Sequence, residues 1–489
     1  MRRFVFCIIF LFPFLGKSYY GYRSTEALLS FSAVVVGSLS FEPNLNMLNQ
    51  EGPLRDEACG LVRLQTQHLM GIFQSESFIK EFGYAGVLGE KEQSKIIFTG
   101  IGDANELGWK PLHYNFETVV VFDKRAFNRK NYEKAMRRVP IKLPFSPQLI
   151  YSESVKIKKM ATKDKFMIFN PCTDKDFNME EVFWYFWDPD KKGCPLKNDH
   201  NKVLRVTGKL RRLRSTQVSY PEYDRLYGDE GNGENLNIAV FVGYIDDFPE
   251  VPNVDKSKKI RRRKRDDAYR AFQHITSELE SMDFNTIEQK NGFRVYRDGD
   301  HDGNNSFTSG FNFLRKFEKR VRTELGNEIN VNIQVVLADT DIHSRDYTFH
   351  YYAIPAIEQA DIFLYDGHSG LGSNFDLTAR DFRDIKFNDK KYQIFFFNGC
   401  STYPYFGGQF ARAKGGTENF DVITSGLQTL TETSFSNALA FLEYFLDGKT
   451  RTYQQILENI DKSNYEDSSQ KEFTYLMGVN GDEDNVWTP

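Results

Sequence analysis

The 489-residue chain carries no strong net charge: 63 Lys and Arg stand against 67 Asp and Glu, a formal charge of −4. That balance excludes the strongly basic footprint of a nucleic-acid-binding domain, so no nucleic-acid partner is expected. Long hydrophobic runs are also lacking. Phe4 to Leu15 is apolar for 12 residues, broken only by Pro13, short of the roughly 20 residues that a helix needs to cross a bilayer. No second stretch of that kind follows, so no transmembrane span is expected in the mature chain. No internal repeat and no long low-complexity tract occurs, which excludes a repeat architecture. Cysteine is scarce, with five residues.

Those few cysteines still carry information. Cys7 lies in the apolar N-terminal run, leaving Cys59, Cys172, Cys194 and Cys400. An oxidising compartment permits one disulfide among the first three. Cys172 and Cys194 are the nearest pair in sequence, although spacing alone does not assign connectivity. Cys400 is the thiol with a chemical reason to stay free.

The N-terminus reads as a secretory signal over residues 1–18. Met1-Arg2-Arg3 is positive, the apolar run follows, and Gly16-Lys17-Ser18 offers small residues where a signal peptidase reads. An uncleaved anchor is the less favoured alternative. The mature protein is therefore expected to be secreted, periplasmic or at the cell surface. With 40% hydrophobic residues and 44 Phe, the chain has material for aromatic-rich cores and is long for a single domain.

Two regions are expected. Residues 19–227 mix strand-like pieces, such as Thr118 to Phe122, with helix-like pieces, such as Asn131 to Arg138, and read as a mixed α+β domain. Phe183 to Trp187 resembles a buried aromatic strand. The turn-rich Gly228 to Gly233 is a plausible boundary. From 234 to 489 the pattern alternates. Strands are predicted at Leu236 to Val242, Phe293 to Tyr296, Val331 to Leu337, Ile362 to Tyr365, Gln393 to Phe397 and Phe420 to Thr424. Helices are predicted over Asp266 to Met282, Phe307 to Leu325, Leu377 to Ile385, Ser434 to Leu446 and Tyr453 to Ile460. Alternating strands and helices imply a doubly wound α/β domain with a mostly parallel sheet flanked by helices.

Reactive groups in such sheets gather beyond the carboxyl ends of the strands. Two strand ends stand out: Ile362-Phe363-Leu364-Tyr365-Asp366-Gly367-His368-Ser369-Gly370 and Gln393-Ile394-Phe395-Phe396-Phe397-Asn398-Gly399-Cys400-Ser401. His368 and Cys400 are 32 positions apart, enough for one right-handed crossover. That topology puts both strand ends on one sheet edge. An imidazole beside a thiol can take its proton and later protonate a leaving group. Backbone N–H groups near Gly367, Ser369, Gly370 and Cys400 are the candidate oxyanion donors.

This pattern resembles the superfamily of caspases, metacaspases, legumains and gingipains, whose members carry a His at the end of one buried strand and a Cys at the end of the next. The resemblance covers the C-terminal half, from Asn237 to Val242 onward, and its closing stretch, Tyr475 to Asp482, is similar to the ends of gingipain-type domains. It implies an exported cysteine endopeptidase acting on a protein or peptide substrate, with Cys400 as nucleophile, His368 as general base and acid, and no required cofactor. Ser369 stands where the family has Gly directly after the His. A second reading is a catalytically inactive binding protein on the peptidase fold. A third is an acyl transferase or ligase using the same dyad.

Other features are weaker. Asp298, Asp300 and Asp302 alternate in a Gly-assisted turn like the start of a calcium loop, but Ser309 occupies the position where an EF-hand needs Glu, leaving a looser calcium site, a solvated turn or a carboxylate at the rim of the substrate cleft. Lys256 to Arg265 is a dense basic run, read first as an exposed loop and second as a processing site. Asp421 and Glu432 are candidates for a specificity pocket. His343 and His350 read as structural or surface residues.

Overall fold

A computed structural model describes residues 19–89, 94–128, 130, 136–159, 166–174, 177–213, 218–228, 234–245, 264–296, 301–302, 311–340, 346–379, 381–383, 385–429, 434–467 and 475–489. The predicted signal, most of the basic run, Asp298, Asp300, His343 and Glu432 lie outside these residues.

The first half is built on strands β1 (Ser24–Val35), β2 (Gly86–Leu88), β3 (Lys95–Ile101), β4 (Leu112–Asp123), β5 (Val139–Pro144) and β8 (Val203–Arg212), in the order β2-β4-β1-β8-β5 with β3 on β4. Strands β6 (Lys156–Lys159) and β7 (Phe166–Phe169) form a separate hairpin. Every pairing is antiparallel, and β1 and β4 pair from Ser24–Asp123 to Val35–Leu112. Alternate residues such as Leu29 and Phe31 join Tyr114 and Phe116 in one core with Leu61, Leu69 and Phe73 from the helices Pro53–Thr66 and His68–Gln74. This period-two burial is what a sheet covered on one face requires.

The second half is organised by a nine-stranded sheet made of β9 (Asn235–Gly243), β10 (Asn285–Val295), β11 (His301–Asp302), β12 (Asn312–Arg322), β13 (Glu328–Ala338), β14 (Ile362–Asp366), β15 (Gln393–Asn398), β16 (Phe420–Thr424) and β17 (Gly478–Asn480). Their order is β11-β10-β12-β13-β9-β14-β15-β16-β17. The run β13-β9-β14-β15-β16 is parallel, and the flanking pairings are antiparallel. The chain is thus mixed α/β, and most of its described strand pairings are antiparallel; in the nine-stranded sheet itself four pairings are parallel and four antiparallel, which corrects the expectation of a mostly parallel sheet there.

All residues of β14 and β15 are buried, which explains the apolar runs 362–365 and 394–397 within them. Ile362, Leu364, Ile394 and Phe396 share one core with Ala271, Phe441 and Ile456, from the helices Asp267–Ser281, Ser434–Leu446 and Tyr453–Asp467. Phe363, Tyr365, Phe395 and Phe397 share another with Phe349 and Phe406, from the helices Thr348–Gln359 and Tyr403–Ala413. Asp266 caps the first of these helices by accepting from the Ala268 N–H.

Several expectations fail locally. Residues 312–322 of the segment expected to be helical form β12 instead, paired on both sides by β10 and β13. Its apolar Phe313, Phe317 and Val321 recur every four residues. That spacing keeps one face of a strand as well as one face of a helix, so pairing with two neighbours decides. Phe183–Phe186 is a 3-10 turn, not a strand, although Phe183, Tyr185 and Trp187 are alternately buried. Residues 377–379 and 381–383 make turns rather than a helix, with the Asp376 carboxylate accepting from the Thr378 N–H at 2.8 Å. Met136–Arg138 is a 3-10 turn. Asp302 lies in β11 opposite Arg294.

The two halves touch. Cys172 and Cys194 form a disulfide, and Cys59 is buried and free. Tyr20 bridges to Val479 on the outer strand β17, and Tyr223 and Tyr227 enter the core of the nine-stranded sheet. Among the described residues, no helix is long and apolar enough to cross a membrane.

Candidate active site

Strands β14 and β15 pair in parallel, with Asp366 opposite Asn398 as their last partners. His368 and Cys400 each lie two residues further on, so they leave the sheet at equivalent positions on strands about 4.8 Å apart. The Gly367 N–H donates to the Asn398 carbonyl at 3.2 Å, continuing the contact beyond the ladder. Two glycines permit this approach. A Cβ on Gly399 would lie 2.6 Å from the Gly367 carbonyl oxygen. Gly367 itself has φ 157°, and a Cβ there would meet the Tyr365 hydroxyl at 2.9 Å.

The structure brings the predicted residues to one edge, but no hydrogen bond joins the two side chains. His368 is exposed, and its Nε2 lies 2.8 Å from the carbonyl of Ile245, just past β9. A carbonyl only accepts, so Nε2 is the donor in this bond, which leaves Nδ1 as the ring nitrogen it does not engage. The imidazole's backbone is fixed from below: the Tyr365 hydroxyl and the Asn374 amide both donate to the His368 carbonyl, each at 2.7 Å. Burial pushes the Tyr365 phenol up to about 12, against opposing hydrogen bonds from Thr340 and Asn374, so it is a neutral donor.

The Cys400 thiol is partly buried, with Sγ 3.8 Å from the Thr429 carbonyl and 4.0 Å from its hydroxyl. Burial pushes the thiol upward, with Thr429 pulling weakly the other way. In this arrangement the sulfur is a thiol awaiting a base rather than a standing thiolate. The helix Tyr403–Ala413 begins three residues later, with Pro404 in its first turn. Its positive end follows Cys400 by three residues, and such an end favours an adjacent anion by roughly 0.3–1 kcal/mol.

Ser369 needs no left-handed backbone here. It has φ −82° and ψ −21°, an ordinary right-handed backbone, while positive φ falls on Gly370 and Leu371. Its hydroxyl donates to the Cys400 carbonyl at 2.6 Å. The Gly367 N–H is taken by the Asn398 carbonyl, so Gly367 is withdrawn as an oxyanion donor; neither the Ser369 nor the Cys400 N–H has a backbone acceptor among the described residues, which leaves these two as candidates.

Asp421 is not part of this edge. It is the second residue of β16, opposite Ile394 at the start of β15, at the far end of the strands. It is fully buried, accepting from the Tyr392 and Tyr453 hydroxyls and from Asn485. The specificity-pocket reading of Asp421 is therefore withdrawn. His350 is buried and stacked on Tyr347, with ring centroids 5.2 Å apart. Among the described residues no group of three or more His, Cys, Asp or Glu is arranged to hold a metal.

Three contributors were missed by sequence reasoning: the Ile245 carbonyl, Thr429 and Tyr185. The rule that found His368 and Cys400 extends to the first two, which follow the ends of β9 and β16. Tyr185, whose hydroxyl lies 2.5 Å from Ser401 Oγ, had no such signal, because its aromatic segment reads as core. Compared with protein-family models and with curated proteins, the chain matches none.

Proposed function

We propose that the chain is an exported cysteine endopeptidase of caspase- or gingipain-like type, in which Cys400 attacks a peptide carbonyl and His368 handles the proton. The observation that carries this reading is the equivalent placement of an imidazole and a thiol just beyond the paired ends of β14 and β15. Rotation of the exposed imidazole away from the Ile245 carbonyl lets it meet the sulfur. Proton transfer then gives the thiolate that a buried thiol does not form alone. The tetrahedral oxyanion would be held by the Ser369 and Cys400 N–H groups, and His368 returns its proton to the leaving amine. The Cys172–Cys194 disulfide supports an oxidising compartment.

Cleavage of a peptide library by the wild type, abolished in Cys400→Ala, is the test. Hydrolysis that survives Cys400→Ala removes the mechanism. A second reading, a non-catalytic peptide-binding protein on the same scaffold, is favoured by the absence of a hydrogen bond between His368 and Cys400 and by the burial of the thiol. It predicts peptide binding without cleavage and a thiol that reacts no faster than free cysteine.

A further inference from the structure

The turn that follows the nucleophile is held from the other half of the chain. Ser401 has φ 49°, a left-handed conformation that a non-glycine residue adopts only when its surroundings impose it. Its surroundings do so at two points. Its N–H donates to the Leu427 carbonyl at 2.9 Å, and its hydroxyl pairs with the Tyr185 hydroxyl at 2.5 Å. Both side chains are buried, at 0% and 1% exposure, so this bond faces no competition from water. Tyr185 and Leu427 share an apolar cluster with Tyr403, the third residue after Cys400, and Leu371 from the loop after His368 packs against it.

Tyr185 is itself anchored. It sits between the two halves of the Cys172–Cys194 disulfide, on the 3-10 turn Phe183–Phe186. The Asp188 N–H donates to the Cys172 carbonyl at 2.7 Å, and the Thr173 hydroxyl donates to the Phe183 carbonyl at 3.2 Å. The disulfide loop thus presents one phenol to the nucleophile turn.

We propose that Tyr185 is a positioning residue for Cys400: the disulfide-braced loop of the first half of the chain sets the direction of the thiol by holding Ser401 in its left-handed conformation. Losing the phenol lets the turn relax and carries the sulfur away from the reach of His368. The inference rests on Cys400 being the nucleophile that His368 activates. Its test reads the thiol directly, so that it stands apart from peptide hydrolysis.

The rate of Cys400 alkylation by iodoacetamide is measured against pH in the full chain, in a Cys59→Ser background, for Tyr185→Phe, Ser401→Ala and the double variant. Tyr185→Phe keeps the ring and removes only the hydroxyl. The expected result is a fivefold or greater fall in alkylation rate at pH 7, with the inflection of the pH profile moved upward and the thermal midpoint lowered by no more than the loss of one buried hydrogen bond accounts for. Ser401→Ala gives the same fall, and the double variant is no slower than either single change, because both remove one bond. A wild-type pH profile in Tyr185→Phe, or losses that multiply in the double variant, overturns the proposal. If the wild type alkylates with the expected profile but cleaves no peptide, the peptidase reading fails and the positioning role stands.

Discussion

The Ser369 hydroxyl and the Cys400 carbonyl, 2.6 Å apart, tie the loop that carries the imidazole to the loop that carries the thiol. Ser369 is 3% exposed. Removing a buried hydrogen bond of this kind costs about 1 kcal/mol. Ser369→Ala should lower stability by that amount and reduce kcat/KM several-fold, with most of the loss in kcat. Denaturant unfolding together with steady-state kinetics checks both halves of the statement. An unchanged kcat would mean that the two loops hold their places independently.

His368 should be separable from the fold. It is exposed, and its ring contacts the rest of the protein through a hydrogen bond to the Ile245 carbonyl. His368→Ala is expected to lower kcat by at least about a hundredfold, the range of a general base, while moving the thermal midpoint little. Should activity persist at near wild-type level, another base serves Cys400.

Gly399 makes the opposite prediction. An alanine there places its Cβ 2.6 Å from the Gly367 carbonyl oxygen, backbone against backbone, with no flexible side chain to give way. Gly399→Ala should cost on the order of 1–3 kcal/mol and spread the two strand ends apart. Both the unfolding midpoint and Cys400 alkylation should fall. A stable Gly399→Ala protein with normal thiol reactivity would show that the close approach is dispensable.

Stability should fall as pH rises from 4 toward 7. Burial raises the carboxyls of Asp461 and Asp482 to about 6 and that of Glu483 to about 7. Asp461 is also opposed by Arg23, and Glu483 is raised further by Asp482. The folded protein therefore keeps protons that the unfolded chain has released. Their contribution is complete below about pH 4, the ordinary carboxyl range, and is lost as pH rises through the folded values. His68 acts the other way within this window: burial lowers it from 6.5 to about 4, so its contribution grows with rising pH and offsets part of the fall, while Glu288, Glu324 and Asp447, whose folded values are depressed, withdraw stability as pH falls below the ordinary range. Thermal midpoints across pH 4–8 should decline in the wild type and flatten in Asp482→Asn. Parallel curves for the two proteins would exclude Asp482 as a source.

The Cys172–Cys194 crosslink closes a short loop, with a sequence separation of 22. A loop of that size stabilises by about 3 kcal/mol when the unfolded chain is constrained. Cys172→Ser with Cys194→Ser should lower the unfolding midpoint accordingly. Equal stability with and without the crosslink would assign it no structural role.

How much of this was legible in the sequence depends on the element. The parallel strands were plain, because β14 and β15 are buried on both faces and carry the apolar runs 362–365 and 394–397 ahead of Gly-His and Gly-Cys. The adjacent Asp266 and Asp267 both read as possible caps of the helix that follows, and Asp266 is the one that caps it. β12 was misread because a spacing of four residues is shared by a helix face and a strand face, and only its two pairing partners distinguish them. The sequence left the pairing open among Cys59, Cys172 and Cys194, and the bond forms between Cys172 and Cys194. Tyr185 was out of reach, since it meets Ser401 across 216 residues of sequence and nothing local marks it. The Ile245 carbonyl is a backbone atom and leaves no residue type to notice.

The bridge between Tyr20 and Val479 has a consequence for assembly. β17 is the last strand of its sheet, and it is only three residues long. Tyr20 donates its N–H to the Val479 carbonyl and accepts from the Val479 N–H, at 3.3 and 2.8 Å, occupying the side that would otherwise recruit a neighbouring chain. A protein trimmed beyond Tyr20 would present that side bare, and stacking of one molecule's border against another's is the fate to watch for in such a fragment.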